Sequence, residues 1–98
     1  MSKLFSPITI RGEKIPNRVF VAPMCQYSSE TEDGHCCTWH TVHYGTRAVG
    51  GAGLVMLEAS SVRPDGRITP WDLGIWDDSH VVSMGRVVDA IVGNGAIP

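Results

Sequence analysis

The stretch "VFVAPMCQYSS", residues 19–29, runs from β-branched and apolar side chains through a proline into a methionine, a cysteine and a tyrosine. The apolar segment 18–24 predicts a short buried strand. Pro23 marks the carboxyl end of that strand, because proline has no N–H to donate to a neighbouring strand. The stretch therefore predicts a strand tip that is followed closely by sulfur and phenol groups.

The residues that precede this strand predict a β-hairpin. In "ITIRGEKI", Ile8 and Ile10 alternate with polar residues before a turn at Gly12-Glu13, and a further isoleucine follows on the return. Such alternation on both sides of a glycine turn is typical of two antiparallel strands.

Helices alternate with strands further along the chain. The polar run "QYSSETEDGH" (26–35) predicts a loop, after which Thr38 can cap a first helix. That helix ends at a pair of glycines and carries three apolar residues on a loosely shared face: Trp39, Val42 and Val49. The apolar run "GLVMLEA" (53–59) predicts a second buried strand, and "SSVRPDGRITP" (60–70) predicts a turn-rich loop.

The last helix has the clearest pattern. Its apolar residues recur at three- and four-residue steps, at Val81, Met84, Val88 and Ile91. Two aspartates precede it and Gly-Asn-Gly follows it, as expected at helix ends. Residues 96–98 stand where a repeating βα unit begins its next strand. The order hairpin, β, α, β, α predicts an α/β fold in which a right-handed crossover joins two parallel strands.

Length and composition limit the classes of function. A chain of 98 residues forms at most one small domain. With 43% apolar residues, 18% charged residues and a net charge of −2, it is neither disordered nor nucleic-acid-binding. No apolar run approaches the roughly 18 residues of a membrane span. The three cysteines, two of them adjacent, and the lack of a secretory signal predict a reduced cytoplasmic setting.

A ligand site is expected where the two predicted parallel strands end. In βα folds, ligands gather at the carboxyl ends of the strands, where the βα loops begin. The tripeptides 23–25 and 58–60 occupy those ends. Taken alone, Cys25 also fits a small buried hydrophobe and Tyr27 a packing aromatic, so both interpretations stay open at this point.

A zinc site is the rival hypothesis. The segment "HCCTWHTVH" offers zinc-type donors within nine residues, at His35, Cys36, Cys37, His40 and His43. Structural zinc sites usually combine two separated ligand pairs, whereas adjacent cysteines project apart and only His40 and His43 share a helical face. The spacing therefore argues against a metal, and these two imidazoles are expected at the edge of the core or at the surface.

Two long segments resemble the N-terminal part of the Old Yellow Enzyme family of FMN-dependent NAD(P)H oxidoreductases. They are "LFSPITIRGEKIPNRVFVAPMCQYS" and "HYGTRAVGGAGLVMLEASSVRPDGRITPWDLGIWDD". The resemblance runs from Leu4 to Pro98 and is strongest to the bacterial ene-reductase branch, which carries a cysteine after Pro-Met. It implies a TIM (β/α)₈ barrel, which typically needs about 250 residues. Residues 1–98 would supply the hairpin that closes the bottom and the first two βα units, an incomplete N-terminal part of an FMN-binding domain.

The resemblance also implies where the flavin and the substrate lie. Backbone groups along the first strand tip would hydrogen-bond the FMN ring, at Ala22, Pro23, Met24 and Cys25. Ala59 is small and would leave room for the ring, the Cys25 thiol would tune how readily the ring accepts a hydride, and Tyr27 would face the substrate. The implied reaction uses NAD(P)H as reductant and passes a hydride from reduced FMN to the activated C=C bond of a small electrophilic alkene.

The resemblance places other essential groups outside this segment. The family's phosphate grip, its substrate-binding His pair and its proton-donating Tyr belong to later parts of the barrel, so no catalytic residue is assigned within 1–98. The alternative is a non-catalytic truncated product or interaction module that binds no cofactor. Trp71 and Trp76 are expected to cover the barrel rim or to form an oligomer contact, with a position beside the substrate as the other interpretation.

Overall fold

The fold is an N-terminal hairpin followed by two βα units. A computed structural model describes residues 2–98. The helices are α1 (Thr38–Val49) and α2 (Ser79–Gly93), and short 3₁₀ turns form at Lys3–Phe5 and Pro64–Gly66. The strands are β1 (Ile8–Ile10), β2 (Glu13–Ile15), β3 (Phe20–Val21), β4 (Leu54–Val55), β5 (Ser60–Ser61) and β6 (Leu73–Gly74). The predicted order of hairpin, strand, helix, strand and helix is confirmed, while β5 and β6 form an unpredicted parallel pair around the turn-rich loop.

The hairpin turns one residue earlier than predicted. β1 and β2 are antiparallel, with Ile8 opposite Ile15. The two residues of the loop are Arg11 and Gly12, whose φ angles of 49° and 80° lie in the left-handed region that a type I′ turn requires. Glu13 therefore already belongs to β2.

The predicted parallel pairing of the next two strands is confirmed. β3 and β4 run parallel, with Val21 opposite Val55. The regular ladder is much shorter than the predicted strands 18–24 and 53–59. Pro23 gives a physical reason, because it cannot donate a ladder hydrogen bond and the chain is free to turn beyond it.

β4 is flanked on its other side by Ile97. Ile97 pairs in parallel with Leu54. The Val55 N–H donates to the Ile97 carbonyl and the Ile97 N–H donates to the Gly53 carbonyl, both at 2.9 Å. Residues 96–98, where the next strand was expected, thus pair with β4 at a single bridge, and β4 is hydrogen-bonded on both sides.

The core lies where α1 and α2 pack on β4. Its buried members come from both helices, from β4 and from the residues after α2: Tyr44, Ala48, Val55, Val87, Ile91 and Ala96. The helices approach closely at Gly45, where an added Cβ would lie 3.6 Å from the Ala90 Cβ. Among the described residues, neither helix is long and apolar enough to cross a membrane. Val55 of β4 thus belongs to one core together with residues of both helices.

The buried face of α1 differs from the predicted one. The residues of the predicted face are about half exposed or more: Trp39, Val42 and Val49. The buried residues are instead His40, His43, Tyr44, Gly45 and Ala48. His40, Tyr44 and Ala48 recur every four residues and form one stripe. Apolar periodicity missed this stripe because two of its three residues carry polar atoms. Cys37, one residue before the predicted Thr38, occupies the N-cap position.

α2 also turns a different face inward than predicted. Its buried residues are His80, Val87 and Ile91. Of the four predicted positions, only Ile91 belongs to this set. Val81 is 66% exposed, and Met84 and Val88 are half-buried. His80 takes the inward position at the start of the helix, where its ring packs edge-on against Trp76 with the centroids 4.6 Å apart.

Candidate functional site

The tips of β3 and β4 lie at the same edge of the sheet. Because the strands are parallel and Val21 is opposite Val55, the chain leaves both strands at their shared carboxyl end. Cys25 and Ala59 each stand four residues beyond this pair, and Cys25 is half-buried. The remaining predicted tip residues are exposed, as is Ala59 itself: Ala22, Pro23 and Met24. The structure therefore brings the predicted residues of both tips to one open edge.

The backbone of the first tip has free hydrogen-bonding groups. Among the described residues, the N–H groups of Met24 and Cys25 donate to no protein acceptor. The Met24 carbonyl accepts a hydrogen bond from the Gln26 side chain at 3.2 Å. Backbone N–H groups need a hydrogen-bond partner once they are covered. A ligand that covers this tip would therefore have to supply the acceptors. The first tip therefore leaves two backbone donors open to a ligand.

Ala59 lines a cleft of about 350 Å³. The other lining residues are Ser60, Ser61, Val62, Arg63, Gly66, Ile68 and Asp72. Arg63 of this lining pairs with the neighbouring Asp65, whose carboxylate accepts from Arg63 Nε and Nη2 at 2.9 and 3.0 Å.

Tyr27 follows the first tip in a left-handed backbone conformation. Its φ angle is 51°, a region that residues with a Cβ seldom adopt. The preceding N–H, that of Gln26, donates to Glu58 Oε1 at 3.3 Å. This bond ties down the backbone directly before Tyr27, whose side chain remains 47% exposed.

Glu58 is the buried group that joins both tips to α1. Its Oε2 accepts a hydrogen bond from the Tyr44 hydroxyl at 2.6 Å, and its own N–H donates to that hydroxyl oxygen at 2.9 Å. Its Oε1 accepts from Gln26 and lies 3.9 Å from His40 Nε2. Burial, together with the adjacent carboxylate, raises the pKa of Tyr44, so the phenol stays protonated and donates. The carboxylate of Glu58 therefore links the backbone after the first tip to α1.

The network of Glu58, Tyr44 and His40 was not predicted from the sequence. A signal for it exists, because Glu58 is the only charged residue within the apolar run 53–59. A carboxylate in a buried strand needs partners that pair with it. Tyr44 and His40, spaced by one helical turn, supply those partners from the buried stripe of α1.

The loop after β3 is anchored to the start of α2. His80 Nε2 lies 2.8 Å from the Asp33 carbonyl, and since a carbonyl only accepts, the imidazole donates. His35 Nε2 lies 3.1 Å from Ser79 Oγ, and the His35 and His80 ring centroids are 4.4 Å apart. Both ends of the loop are therefore held, one by Glu58 and the other by this pair of rings.

Among the histidines and cysteines of the rival zinc hypothesis, Cys37 and His40 are in contact, with Sγ 3.3 Å from Nδ1. No group of three such side chains, with Asp and Glu included, is placed to hold a metal within the described residues. His40 and His43 are 0% and 6% exposed, so the expectation of a core-edge or surface position fails for His40. Burial lowers the pKa of both imidazoles. Cys36 and Cys37 are half-buried free thiols.

The two tryptophans of the second loop have different surroundings. Trp71 is 46% exposed, and its carbonyl accepts from the Ser29 N–H at 2.9 Å. Trp76 is half-buried against His80, with the Arg67 guanidinium carbon 5.2 Å from its ring centroid. Trp76 therefore has a packing role, while Trp71 is an exposed aromatic of the loop.

Known proteins match nearly the whole chain. The model of the NADH:flavin oxidoreductase / NADH oxidase family matches residues 3–97. An NADPH dehydrogenase of Geobacillus thermodenitrificans (strain NG80-2) is 48% identical over 93 residues, which are 95% of this chain and 27% of that protein. The chain thus spans about a quarter of the length of this relative.

Solved structures share the same architecture. Morphinone reductase in complex with tetrahydroNAD has a TM-score of 0.83 and 32% identity, over 98% of this chain and 25% of that one. The old yellow enzyme homologue from Zymomonas mobilis has a TM-score of 0.86 and 28% identity, over 97% and 26%. A 2-naphthoyl-CoA reductase complex has a TM-score of 0.88 and 25% identity, over 96% and 14%.

These matches define the fold and the family together. The α/β fold is that of the N-terminal hairpin and the first two βα units of a (β/α)₈ barrel. The parallel order of β3, β4 and Ile97 agrees with successive barrel strands. The chain belongs to the NADH:flavin oxidoreductase / NADH oxidase family, whose cofactors are FMN and, as reductant, NAD(P)H.

Proposed function

We propose that the protein containing this segment is an FMN-dependent NAD(P)H oxidoreductase of the ene-reductase type. Residues 1–98 would form the N-terminal part of its flavin-binding barrel domain. FMN reduced by NAD(P)H would supply the hydride for the activated C=C bond of a small electrophilic alkene. The observation that carries the proposal is the parallel register of Val21 with Val55, which puts both exposed strand tips at one edge.

The first tip would bind the flavin ring mainly through its backbone. The free N–H groups of Met24 and Cys25 support this role, and the exposed residues Ala22 and Pro23 would lie along the same ring. The half-buried thiol of Cys25 would act as a weak donor at the carbonyl edge of the ring. Ala59 would leave space for the ring at the second tip because it carries only a methyl group.

The loop after the first tip would contribute to substrate binding. Tyr27 would present its phenol to the alkene, supported by its exposure and by its left-handed backbone. The hydrogen bond from Gln26 to Glu58 would hold that backbone in position. We place the protein in the cytoplasm, because its three cysteines are all free thiols, as is usual in a reducing compartment.

A larger side chain at position 59 of the complete protein tests whether the flavin ring lies beside this residue. Ala59→Leu adds three carbons in the space assigned to the ring, and such overpacking should weaken FMN binding by roughly tenfold or more. The matched control, Val62→Leu, enlarges an exposed side chain three residues further along. The flavin-to-protein ratio after gel filtration, read from absorbance spectra, should fall for Ala59→Leu only.

Turnover tests the reaction itself. The FMN-loaded parent should oxidise NAD(P)H in the presence of an α,β-unsaturated ketone and release the saturated ketone, which gas chromatography identifies. A complete protein that binds no FMN would support the alternative of a non-catalytic interaction module. Parent-like FMN content in Ala59→Leu would remove Ala59 from the flavin site while leaving the family membership intact.

A further inference from the structure

Beyond the ladder of β3 and β4, one side chain joins the two strand tips. The last backbone hydrogen bond between them runs from the Met56 N–H to the Val21 carbonyl at 3.2 Å. Among the described residues, the only direct hydrogen bond between the two tips beyond this point runs from the Gln26 N–H to Glu58 Oε1 at 3.3 Å. Glu58 belongs to the second tip, and Gln26 directly follows Cys25 of the first. This bond therefore spans the gap between the tips.

The side chain of Glu58 is fixed from its other oxygen. Oε2 accepts from the Tyr44 hydroxyl at 2.6 Å, and the Glu58 N–H donates to that hydroxyl oxygen at 2.9 Å. Glu58 is buried, with 4% of its surface exposed. Each carboxylate oxygen thus has its own donor, so Oε1 is available to Gln26 while Oε2 stays on Tyr44. The length of this side chain therefore determines how far the Gln26 N–H lies from α1.

The backbone next to this bond has a conformation that needs a restraint. Tyr27 has a φ angle of 51°, and residues with a Cβ keep such a conformation where surrounding contacts hold them. Gln26 lies between Cys25, whose thiol is proposed to act on the flavin, and Tyr27, whose phenol is proposed to face the substrate. A displacement of the Gln26 N–H would therefore move the thiol and the phenol together.

We propose that Glu58 is a positioning residue of the flavin site, which sets the gap between the two strand tips through the length of its side chain. The inference rests on the proposed function, in which the flavin ring lies along both tips. Glu58 does not touch the reacting atoms and acts through Cys25 and Tyr27. Its carboxylate is required as an acceptor at a fixed distance from the backbone, and its negative charge is not required.

Two substitutions in the complete, FMN-loaded protein separate the length of this side chain from its charge. Glu58→Asp keeps the charge but is one carbon shorter, so its carboxylate cannot reach both donors. Glu58→Gln keeps the length, since its amide oxygen can accept from the Gln26 N–H while its NH₂ group donates to the Tyr44 oxygen. In Glu58→Asp, kcat/KM for an α,β-unsaturated ketone, per bound flavin, should fall by roughly tenfold or more, because a misplacement of about 1 Å can cost about 100-fold. Glu58→Gln should restore most of this loss.

Val87→Ala is the control for a loss of stability alone. Val87 is fully buried in the core and takes part in none of the hydrogen bonds at the tips. This variant should lower the urea midpoint and leave kcat/KM per bound flavin unchanged. The visible absorption spectrum of the bound flavin, which reports contacts of the ring, should change in Glu58→Asp and not in Val87→Ala.

The outcomes separate this inference from the proposed function. Parent-like kcat/KM and spectrum in Glu58→Asp overturn the inference and leave the proposed function intact. Equal losses in Glu58→Asp and Glu58→Gln overturn it as well, because the charge would then be required. If Glu58→Asp does not fold, Glu58→Gln decides alone, and a tenfold loss in that variant overturns the inference. A parent that binds no FMN overturns the proposed function and this inference together.

Discussion

At the scale of single residues, substitution of Cys25 should change the reduction potential of the flavin without weakening its binding. In the complete protein, Cys25→Ser should retain FMN, because the proposed contacts of this tip are mainly backbone groups. The flavin reduction potential should shift, because a serine hydroxyl is a stronger donor and is less polarizable than a thiol. A redox titration against a reference dye measures the potential, and stopped-flow absorbance measures flavin reduction and reoxidation.

Cys36→Ser is the matched control for this experiment. Cys36 is also a half-buried free thiol, but it lies in the loop before α1. Its substitution should change neither the potential nor the two rates. If Cys25→Ser leaves all three at the parent values, the Cys25 thiol has only a packing role.

The hydroxyl of Tyr44 should contribute strongly to stability for its size. It donates to Glu58 Oε2 and accepts from the Glu58 N–H. Tyr44→Phe leaves both Glu58 groups without these partners in a buried setting, which should lower the free energy of unfolding by about 1–3 kcal/mol. Urea denaturation of the complete protein measures this loss. Tyr27→Phe removes an exposed hydroxyl and should change stability by less than about 0.5 kcal/mol; equal effects of the two variants would contradict the structure.

At the scale of elements, the buried histidines of α1 should make stability depend on pH. Burial lowers the pKa of His40 and His43 below the ordinary 6.5 of the unfolded chain. Below that value the unfolded state therefore binds more protons than the folded state, and stability falls as pH falls. Each group can contribute up to about 1.4 kcal/mol per pH unit. Urea midpoints measured from about pH 8 down to about pH 5 should decrease accordingly.

His43→Phe isolates one of these two contributions. Phenylalanine keeps a ring beside Tyr44, whose centroid lies 4.8 Å from that of His43, but it does not titrate. The slope of stability against pH should become shallower in this variant. A slope identical to that of the parent would show that His43 does not contribute to the pH dependence.

The order of elements was predictable from the sequence, but the inward faces of the helices were not. Hairpin, strand and helix order follow from apolar runs and turn residues that act locally. The stripe on α1 depends on Glu58, since His40 and Tyr44 face inward toward a carboxylate that is distant in sequence. Val81 is a counterexample on α2, because it fits the apolar period and yet is exposed. The position of the strand tips was predictable, because parallel strands end at the same edge of a sheet. The partners of the buried Glu58 carboxylate could be identified only from the three-dimensional structure.

At the scale of the whole molecule, residues 1–98 on their own should not behave as a stable flavoprotein. Large apolar side chains remain exposed on several elements, including Phe20, Val62, Val81 and Val92. Short strands with open edges invite association with other chains. The isolated segment should therefore aggregate or lack fixed packing, and it should not retain FMN through gel filtration. Near-UV circular dichroism and elution volume measure this; a yellow monomer that melts cooperatively would contradict it.

The double pairing of β4 also sets an order of local opening within this segment. Val55 is fully buried, and its N–H donates to Ile97, while β3 pairs on the other side. The β1–β2 hairpin has exposed residues at most of its positions. Amide hydrogen exchange requires a protecting bond to break, and the free energy of that opening rises with burial. In the complete protein, the amide of Val55 should therefore exchange among the last of this segment and those of the hairpin among the first, so transient opening would start at the hairpin and leave the edge shared by the β3 and β4 tips closed.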